Sequence, residues 1–370
     1  MSYSRNSMSI VRYETILRIV LLCVVIAMTS CKKESDEQLS ANGCNEVTVV
    51  MSVNALGDRN INDKIYEGIF FVKERYVEDS SVIVRVLVTR SMQQAEHLID
   101  YWMKGETDAR RLLVLCNETM GDWLTTHDGW SVKANSDILV LDSYHEYEGV
   151  YNRYINSYGV SYMIGALVYY FGTERDEQIV NTRSKPALIC ANKQEGHIKD
   201  AVAGFVDGFR SLGGELDEEK CIIALSDAPA AGYDMSDSVF RLSAILCEEG
   251  YDFIFPLCGG SANGVYSYAI SKIYFNSSNT FYTCGVDVDV NEVVMNSLIS
   301  TLRSYDLLLK DFIADWIEQK PLALHSTEFL GSKYCGYAYV GGDYRLTNNM
   351  EKVLVESQAA EMDYCGKREQ

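Results

Sequence analysis

Residues 250–265 read Gly250-Tyr251-Asp252-Phe253-Ile254-Phe255-Pro256-Leu257-Cys258-Gly259-Gly260-Ser261-Ala262-Asn263-Gly264-Val265. Phe253–Leu257 is a short apolar run with no polar residue interrupting it. A strand with one wet face alternates, so an unbroken run predicts a strand covered by helices on both sides, as in a parallel sheet. Gly259 and Gly260 follow at the strand's end. Glycine lets the backbone turn sharply and approach a ligand closely, with free N–H groups to donate to it. The other reading is a plain loop ahead of a helix that starts near Asn263. No Lys follows the glycines, so this is not a phosphate-binding P-loop.

The same alternation extends in both directions. Strands are expected at Val47–Val53, Ser81–Val88, Arg111–Cys116, Asp137–Leu141, Ala187–Ala191, Cys221–Leu225 and Phe281–Val286. Between them, helical spacing covers Asp63–Tyr76, Gln93–Met103, Tyr158–Phe171, Ile198–Leu212, Ser238–Glu249 and Gly264–Ile273. Strand and helix alternating in this way predict an α/β fold of parallel sheets covered by helices. The series restarts at Ala187, which suggests two similar doubly wound, Rossmann-like lobes. With four Pro and no Pro/Gly/Ser linker between the halves, several chain crossings are expected to join them. In such lobes ligands bind at the carboxyl ends of the strands, so the residues that follow each apolar run are the ones to weigh.

The N-terminus has a different character. Arg5, Arg12 and Arg18 precede the uncharged run Ile19–Met28, which is too short to span a bilayer comfortably. Thr29, Ser30 and Cys31 close it. A positive start, a short apolar run and small residues form the layout of a secretory signal. Met28-Thr29-Ser30-Cys31 resembles the lipobox of bacterial lipoproteins, which implies a signal over residues 1–30 and a lipid on Cys31. An uncleaved anchor helix is the other reading; both place the rest of the chain outside the cytoplasm. Residues 31–45 read as a polar, flexible tether. The formal charge of −19 becomes −21 once the signal's net +2 is removed. A chain this acidic is not expected to bind nucleic acid through its net field. Roughly 340 mature residues exceed one ordinary core, so two domains are expected.

Nine of the eleven Cys lie beyond Cys31. Cys116, Cys190, Cys221, Cys247, Cys258 and Cys284 sit in or beside apolar runs and read as small buried side chains, with pairing open in an oxidising compartment. There is no CxxC pair and His occurs only five times, so no zinc site, no other metal and no cofactor is expected.

Four segments, in order, resemble the basic membrane protein family of substrate-binding lipoproteins, whose characterised branch includes purine-nucleoside receptors of ABC transporters. They are Gly57-Asp58-Arg59-Asn60-Ile61-Asn62-Asp63 running into Glu67-Gly68; Gly204-Phe205-Val206-Asp207-Gly208; the strand and glycine loop quoted above; and Gly285-Val286-Asp287-Val288-Asp289. The match runs from about Glu46 to Glu356. It implies a type 1 periplasmic-binding-protein architecture with three crossovers, an N-terminal lobe of residues 46–165 plus 288–320, a C-terminal lobe of 166–287 plus 321–360, and a tail over 361–370.

The resemblance also implies ligand-binding residues. Asp287, at a strand end, would accept from two neighbouring ligand hydroxyls; its other reading is a helix cap. Asp142 ends the run DILVL and would help hold a base or sugar, or else mark a turn; Tyr144 follows it. Asn62 matches the family's Asn and Asp58 its loop Asp, although Asp58 reads equally as structural. Tyr233 falls where the family places a stacking aromatic. Ser52 falls on the family's first-strand Asp, its stacking Phe on Ile61, and its Lys on Ser300 with Arg303 nearby. With those contacts changed, a sugar-bearing or polyhydroxylated solute fits the remaining carboxylates as well as a nucleoside does, and Trp123, Trp130 or Tyr144 offers another flat surface.

The expected function is therefore an extracytoplasmic, membrane-anchored solute-binding lipoprotein that presents a small ligand to the permease of an ABC importer. The alternative is a surface-exposed ligand sensor or adhesin on the same fold. An enzyme is not expected: there is no Gly-x-Ser-x-Gly elbow and no His-Glu-x-x-His.

Overall fold

Each continuous apolar run becomes a strand buried on both faces. The computed structural model describes residues 45–53, 56–76, 82–127, 131–173, 184–234, 237–274, 281–341 and 343–368. The signal, Cys31 and all of the tether except Asn45 lie outside these residues.

The first sheet is built from β1 (Asn45–Met51), β2 (Val82–Val88), β3 (Arg111–Leu115), β4 (Ser136–Leu141), β5 (Tyr151–Ile155) and β11 (His325–Glu328). Its order is β11-β5-β4-β3-β1-β2, and every pair is parallel. The helices that accompany it are α1 (Ile61–Tyr76), α2 (Met92–Lys104), α3 (Glu118–Thr126) and α9 (Tyr305–Ile317). Alternate residues explain the two-sided burial. Val47, Val49, Met51, Leu112 and Val114 share a core with Ile65, Ile69 and Val72 of α1. Val50, Leu113, Leu115, Ile138 and Val140 pack on the other side with Ile99 of α2 and Met120 and Leu124 of α3.

The second sheet repeats the plan. It holds β6 (Pro186–Cys190), β7 (Ile222–Ala224), β8 (Phe253–Leu257), β9 (Tyr282–Gly285), β10 (Ser297–Arg303) and β12 (Cys335–Ala338). Its order is β12-β10-β9-β8-β6-β7, parallel except for β12 against β10. The remaining helices are α4 (Tyr158–Thr173), α5 (Gly196–Ser211), the single turn α6 (Glu218–Cys221), α7 (Asp237–Glu248), α8 (Ala262–Tyr274) and α10 (Tyr344–Arg368). The glycines of the Gly204–Gly208 segment have a packing role. A Cβ on Gly204 would stand 2.2 Å from the Tyr158 carbonyl oxygen, and one on Gly208 would stand 2.0 Å from that of Tyr162. Backbone of α5 thus lies directly against backbone of α4, and the ring of Phe205 reaches those of Phe253 and Phe255, at 6.1 and 5.4 Å between centroids.

The chain changes sheet three times: between Ile155 and Tyr158, at Ser304, and between Glu328 and Cys335. Three crossings were expected; their positions differ. The border expected at 165/166 falls inside α4. The segment 288–320, assigned to the N-terminal lobe, contains β10 of the second sheet, and 321–360, assigned to the C-terminal lobe, contains β11 of the first. Residues 361–368, expected within a tail, continue α10. The reason is visible in composition: β5 carries buried Asn152 and Arg153, and β11 is the polar run HSTE, so neither reads as an apolar strand.

The crossings are knitted together. Asn156 Oδ1 accepts from Tyr158 N at 2.7 Å, and Asn156 N donates to the Glu328 carbonyl at 2.8 Å. Glu361, on α10, accepts from Gly159 N and Leu330 N at 3.2 and 2.8 Å. Among the described residues no helix is long and apolar enough to cross a membrane. The eight described Cys are all free and seven are buried; burial pushes the thiols of Cys116, Cys190 and Cys258 above their ordinary value.

Two predictions follow from this packing. Gly208→Ala forces α4 and α5 apart and lowers the unfolding free energy by about 1–3 kcal/mol, measured by urea titration. Burial raises the Glu361 carboxyl from 4.5 to about 7, outweighing its two backbone donors. Between those values the folded chain holds a proton that the unfolded chain lacks. This stabilisation is therefore complete below pH 4.5 and gone above 7, a span on the order of 3 kcal/mol. Glu361→Gln should flatten the fall in Tm between pH 5 and 8 relative to wild type, while lowering Tm at pH 5 because its amide faces a backbone donor.

Candidate functional site

Two strand-end aspartates face each other across the junction of the sheets. Asp142 follows β4 and Asp287 follows β9, and both adopt left-handed backbone, with φ of 54° and 66°. Asp is one of the few residues apart from Gly that tolerates this region, and the turn carries each carboxylate inward. Asp287 N is fixed by Thr301 Oγ1 at 2.9 Å.

Arg303, the last residue of β10, lies between them and is 3% exposed. Its Nε and Nη2 donate to the two oxygens of Asp287 at 2.6 and 2.9 Å, and its Nη1 donates to Asp142 Oδ1 at 2.6 Å. Burial opposes the charge, but the two carboxylates outweigh it and hold the guanidinium above its ordinary value. Asp142 also accepts from the Tyr305 hydroxyl at 3.0 Å, and the His197 Nδ1 stands 3.4 Å from its Oδ2. His197 Nε2 is 3.2 Å from the Tyr233 hydroxyl, which donates to Glu195. Burial, then Glu195, raises the Tyr233 phenol. A continuous polar chain thus runs from Glu195 through Tyr233, His197 and Asp142 to Arg303 and Asp287.

Tyr233, His197, Arg303 and Asp287 of this chain border a cavity of about 40 Å³, lined also by Asn60, Ile61, Phe255, Leu257 and Gly259. Gly259 has φ of +51°, and a Cβ there would stand 2.8 Å from the Tyr233 ring; the glycine lets the strand end tuck beneath the aromatic. Across the cleft, Asn60 Nδ2 donates to the Val286 carbonyl and Asn263 Nδ2 to that of Asp58, both at 3.2 Å. The lobes therefore touch, and the cavity is far smaller than the roughly 300–1,000 Å³ of pockets that hold drug-sized ligands.

Of the residues expected at a site, Asp142, Asp287, Tyr233 and Gly259 meet here. Asp58 does not: its carboxylate accepts from the N–H groups of Asn60, Asn62 and Asp63 at the start of α1. Burial raises its carboxyl, against those bonds and that from the Asn62 side chain. Asn62 turns its amide to Asp58 at 2.8 Å, and Asn60 takes the cleft position instead. Ser52 Oγ accepts from Asn117 Nδ2 at 2.9 Å. Gly260 accepts from Asn263 through its carbonyl. Tyr144 lies beneath the Arg368 guanidinium, 3.6 Å from the ring centroid. Trp123 stacks on His127 on the far side of the first sheet, and Trp130 is outside the described residues. Arg303, His197 and Asn60 were missed as site residues. In the sequence Arg303 is marked only as a basic residue near Ser300, where the resembled family has its Lys; His197 stands just before the expected start of its helix, where nothing marks it.

No family model and no curated protein matches the sequence. Solved structures do. An ABC-transporter solute-binding protein from Aeropyrum pernix K1 aligns over 86% of this chain and 86% of its own, at 15% identity and a TM-score of 0.65. A sugar transporter from Clostridium phytofermentans aligns over 80% of this chain and 100% of its own, at 12% identity and TM-score 0.57. A transcriptional activator of the comK gene from Bacillus halodurans aligns over 86% and 99%, at 15% identity and TM-score 0.56. The chain has the type 1 periplasmic-binding-protein fold. At these identities the likeness extends to the fold, which solute-binding proteins and transcription regulators share.

In this fold the clamp joins the lobes, so cutting it has a large effect. Arg303→Met leaves two buried carboxylates unpaired and lowers the unfolding free energy by about 3–5 kcal/mol. Unpaired buried carboxylates take up protons in the folded state, so the loss shrinks from pH 8 to pH 5. Guanidinium denaturation at both pH values checks this.

Proposed function

We propose that the protein is an extracytoplasmic solute-binding lipoprotein, anchored through Cys31, that captures a small hydroxylated ligand between its lobes and presents it to an ABC importer. The observation that carries this reading is the convergence of Asp287, Arg303, His197, Asn60 and Tyr233, from both lobes, on one cavity where the strands' carboxyl ends meet, with Asp142 holding Arg303 and His197 from behind. Carboxylates accept from hydroxyls, and Arg303 and Asn60 donate, so the set matches a molecule with several hydroxyls. Ile61, Phe255 and Leu257 give it apolar walls.

Two of the solute-binding neighbours named above belong to ABC and sugar transport, and a further neighbour from Alkaliphilus metalliredigens was solved with D-xylulofuranose, at 12% identity and TM-score 0.53, covering 80% of this chain and 97% of its own. These likenesses support a carbohydrate as the ligand class. Because the cavity is small, the ligand enters with the lobes apart and is enclosed as they close, with the crossings at 156–157, 304 and 329–334 as the hinge. Asp58 and Asn62 act on the cavity indirectly, setting the start of α1 and so the position of Asn60. The regulators on this fold leave the sensor reading as the alternative, separated from import by uptake of the ligand in a strain lacking the gene.

Calorimetry against panels of monosaccharides, polyols and nucleosides, guided by native mass spectrometry of molecules that co-purify, tests the reading. One class is expected to bind with micromolar or tighter affinity, and Asp287→Asn is expected to weaken it at least tenfold. Absence of binding across all three panels overturns it.

A further inference from the structure

A second cluster lies on the first lobe, outside the cleft cavity. Glu118 and Asp122 stand one turn apart on α3, on the same face of the helix. His145 reaches them from the loop after β4. One carboxylate oxygen from each acid and one ring nitrogen of the histidine lie within 4.8 Å of one another. The cluster is held from outside. The Tyr147 hydroxyl and His145 Nδ1 are each 3.0 Å from Asp122 Oδ1, the Ser143 hydroxyl is 3.0 Å from that of Tyr147, and Asn152 Nδ2 donates to the carbonyls of Ser143 and His145 at 2.7 and 2.9 Å.

The geometry is independently incomplete. Glu118 is 7% exposed, and its Oε2 is buried with no hydrogen-bond partner. A His145–Asp122 pair satisfies those two residues and leaves Glu118 as it stands. Burying a carboxylate oxygen without a donor is costly, and a cation would remove that cost. Oε2 lies beside the backbone of Gly196 and the Tyr144 ring, since a Cβ on Gly196 would stand 2.8 Å from Oε2 and 2.3 Å from the ring, and neither offers it a donor. Asp122 and His145 are 44% and 40% exposed at their side chains, which gives a path in and freedom to draw up to metal-ligand distance.

We propose that Glu118, Asp122 and His145 form a binding site for a divalent transition-metal ion of the zinc class, with water in the remaining positions. One imidazole with two carboxylates favours such an ion over magnesium or calcium, which take oxygen ligands. Tyr147 and Asn152 supply the outer bonds that orient the ligands, as around most protein-bound metals. All three ligands belong to the first lobe, with Gly196 of the second packed beside Glu118.

Isothermal titration of Zn²⁺ into the full chain, with a reductant present and metal content measured after dialysis, tests the proposal. One ion per chain is expected at micromolar or tighter affinity. Glu118→Gln and His145→Ala are each expected to weaken it at least tenfold while Tm without metal stays near that of wild type. The proposal is overturned if wild type shows no saturable binding, or if both variants bind as wild type does. Should either variant melt early, Asp122→Asn on the more exposed ligand decides in the same way. None of these outcomes depends on solute binding in the cleft.

Discussion

The structure depends on a buried guanidinium shared by two carboxylates. Arg303 extends from the second sheet, binds Asp287 of that sheet through both oxygens and reaches Asp142 at the end of a first-sheet strand. Taking three charges out of water costs several kcal/mol per ion, so the arrangement holds only because the bonds are short, the fork is bidentate and Tyr305 fills a further acceptor position. The group carries one net negative charge. Removing Arg303 leaves both buried carboxylates without their cation, whereas removing either aspartate leaves the other paired with it.

The clamp constrains the backbone as well. Both aspartates sit at positive φ, so each side chain leaves its strand end at an angle that an ordinary extended residue would not give. Tyr305, one residue beyond the crossing at Ser304, donates to Asp142 and accepts from Ile155 N at 3.0 Å, next to another crossing. The polar cluster is thereby wired to two of the three segments that must flex if the lobes separate. Glu361 braces the same region from α10 through Gly159 and Leu330. Rearrangement in the cleft and bending at the crossings are thus mechanically linked.

The core of both lobes was legible because continuous apolar runs have one good explanation, a strand covered on both sides. Phe253–Leu257 and Asp137–Leu141 were placed within a residue of their observed bounds. β5 was not legible, because its buried residues Asn152 and Arg153 are polar: Asn152 ties down the loop at Ser143 and His145, and Arg153 binds the carbonyls of Ala323 and Leu324. The strand-end aspartates were legible by position, but their partner was not. Arg303 stood in the sequence only as a basic residue near a missing lysine, and nothing local indicates that it closes on two aspartates 161 and 16 residues away. Asn60 and Asn62 were interchanged for a related reason. The loop motif names both, and only the hydrogen bonds of Asp58, which caps the helix, decide which one turns its amide back to that carboxylate.

If the cavity takes the solute proposed above, carboxylates that are already bound set a condition on it. Asp142 and Asp287 cannot accept from a solute hydroxyl with the bonds they now make to Arg303 unless lone pairs remain or the guanidinium moves. Each carboxylate has about four acceptor directions, and Asp287 uses two of them on Arg303 through its side chain, so a hydroxyl can join without displacing the arginine. Arg303 likewise retains two of its five N–H groups beyond the three already used. A neutral ligand carrying both donors and acceptors adds to this network without altering its charge. A cationic ligand would compete with Arg303 for the same carboxylates, and an anionic one would add to a site that is already net negative. For the proposed solute the electrostatics of the clamp therefore set a condition, no net charge and several hydroxyls, that comes from the three charged residues themselves.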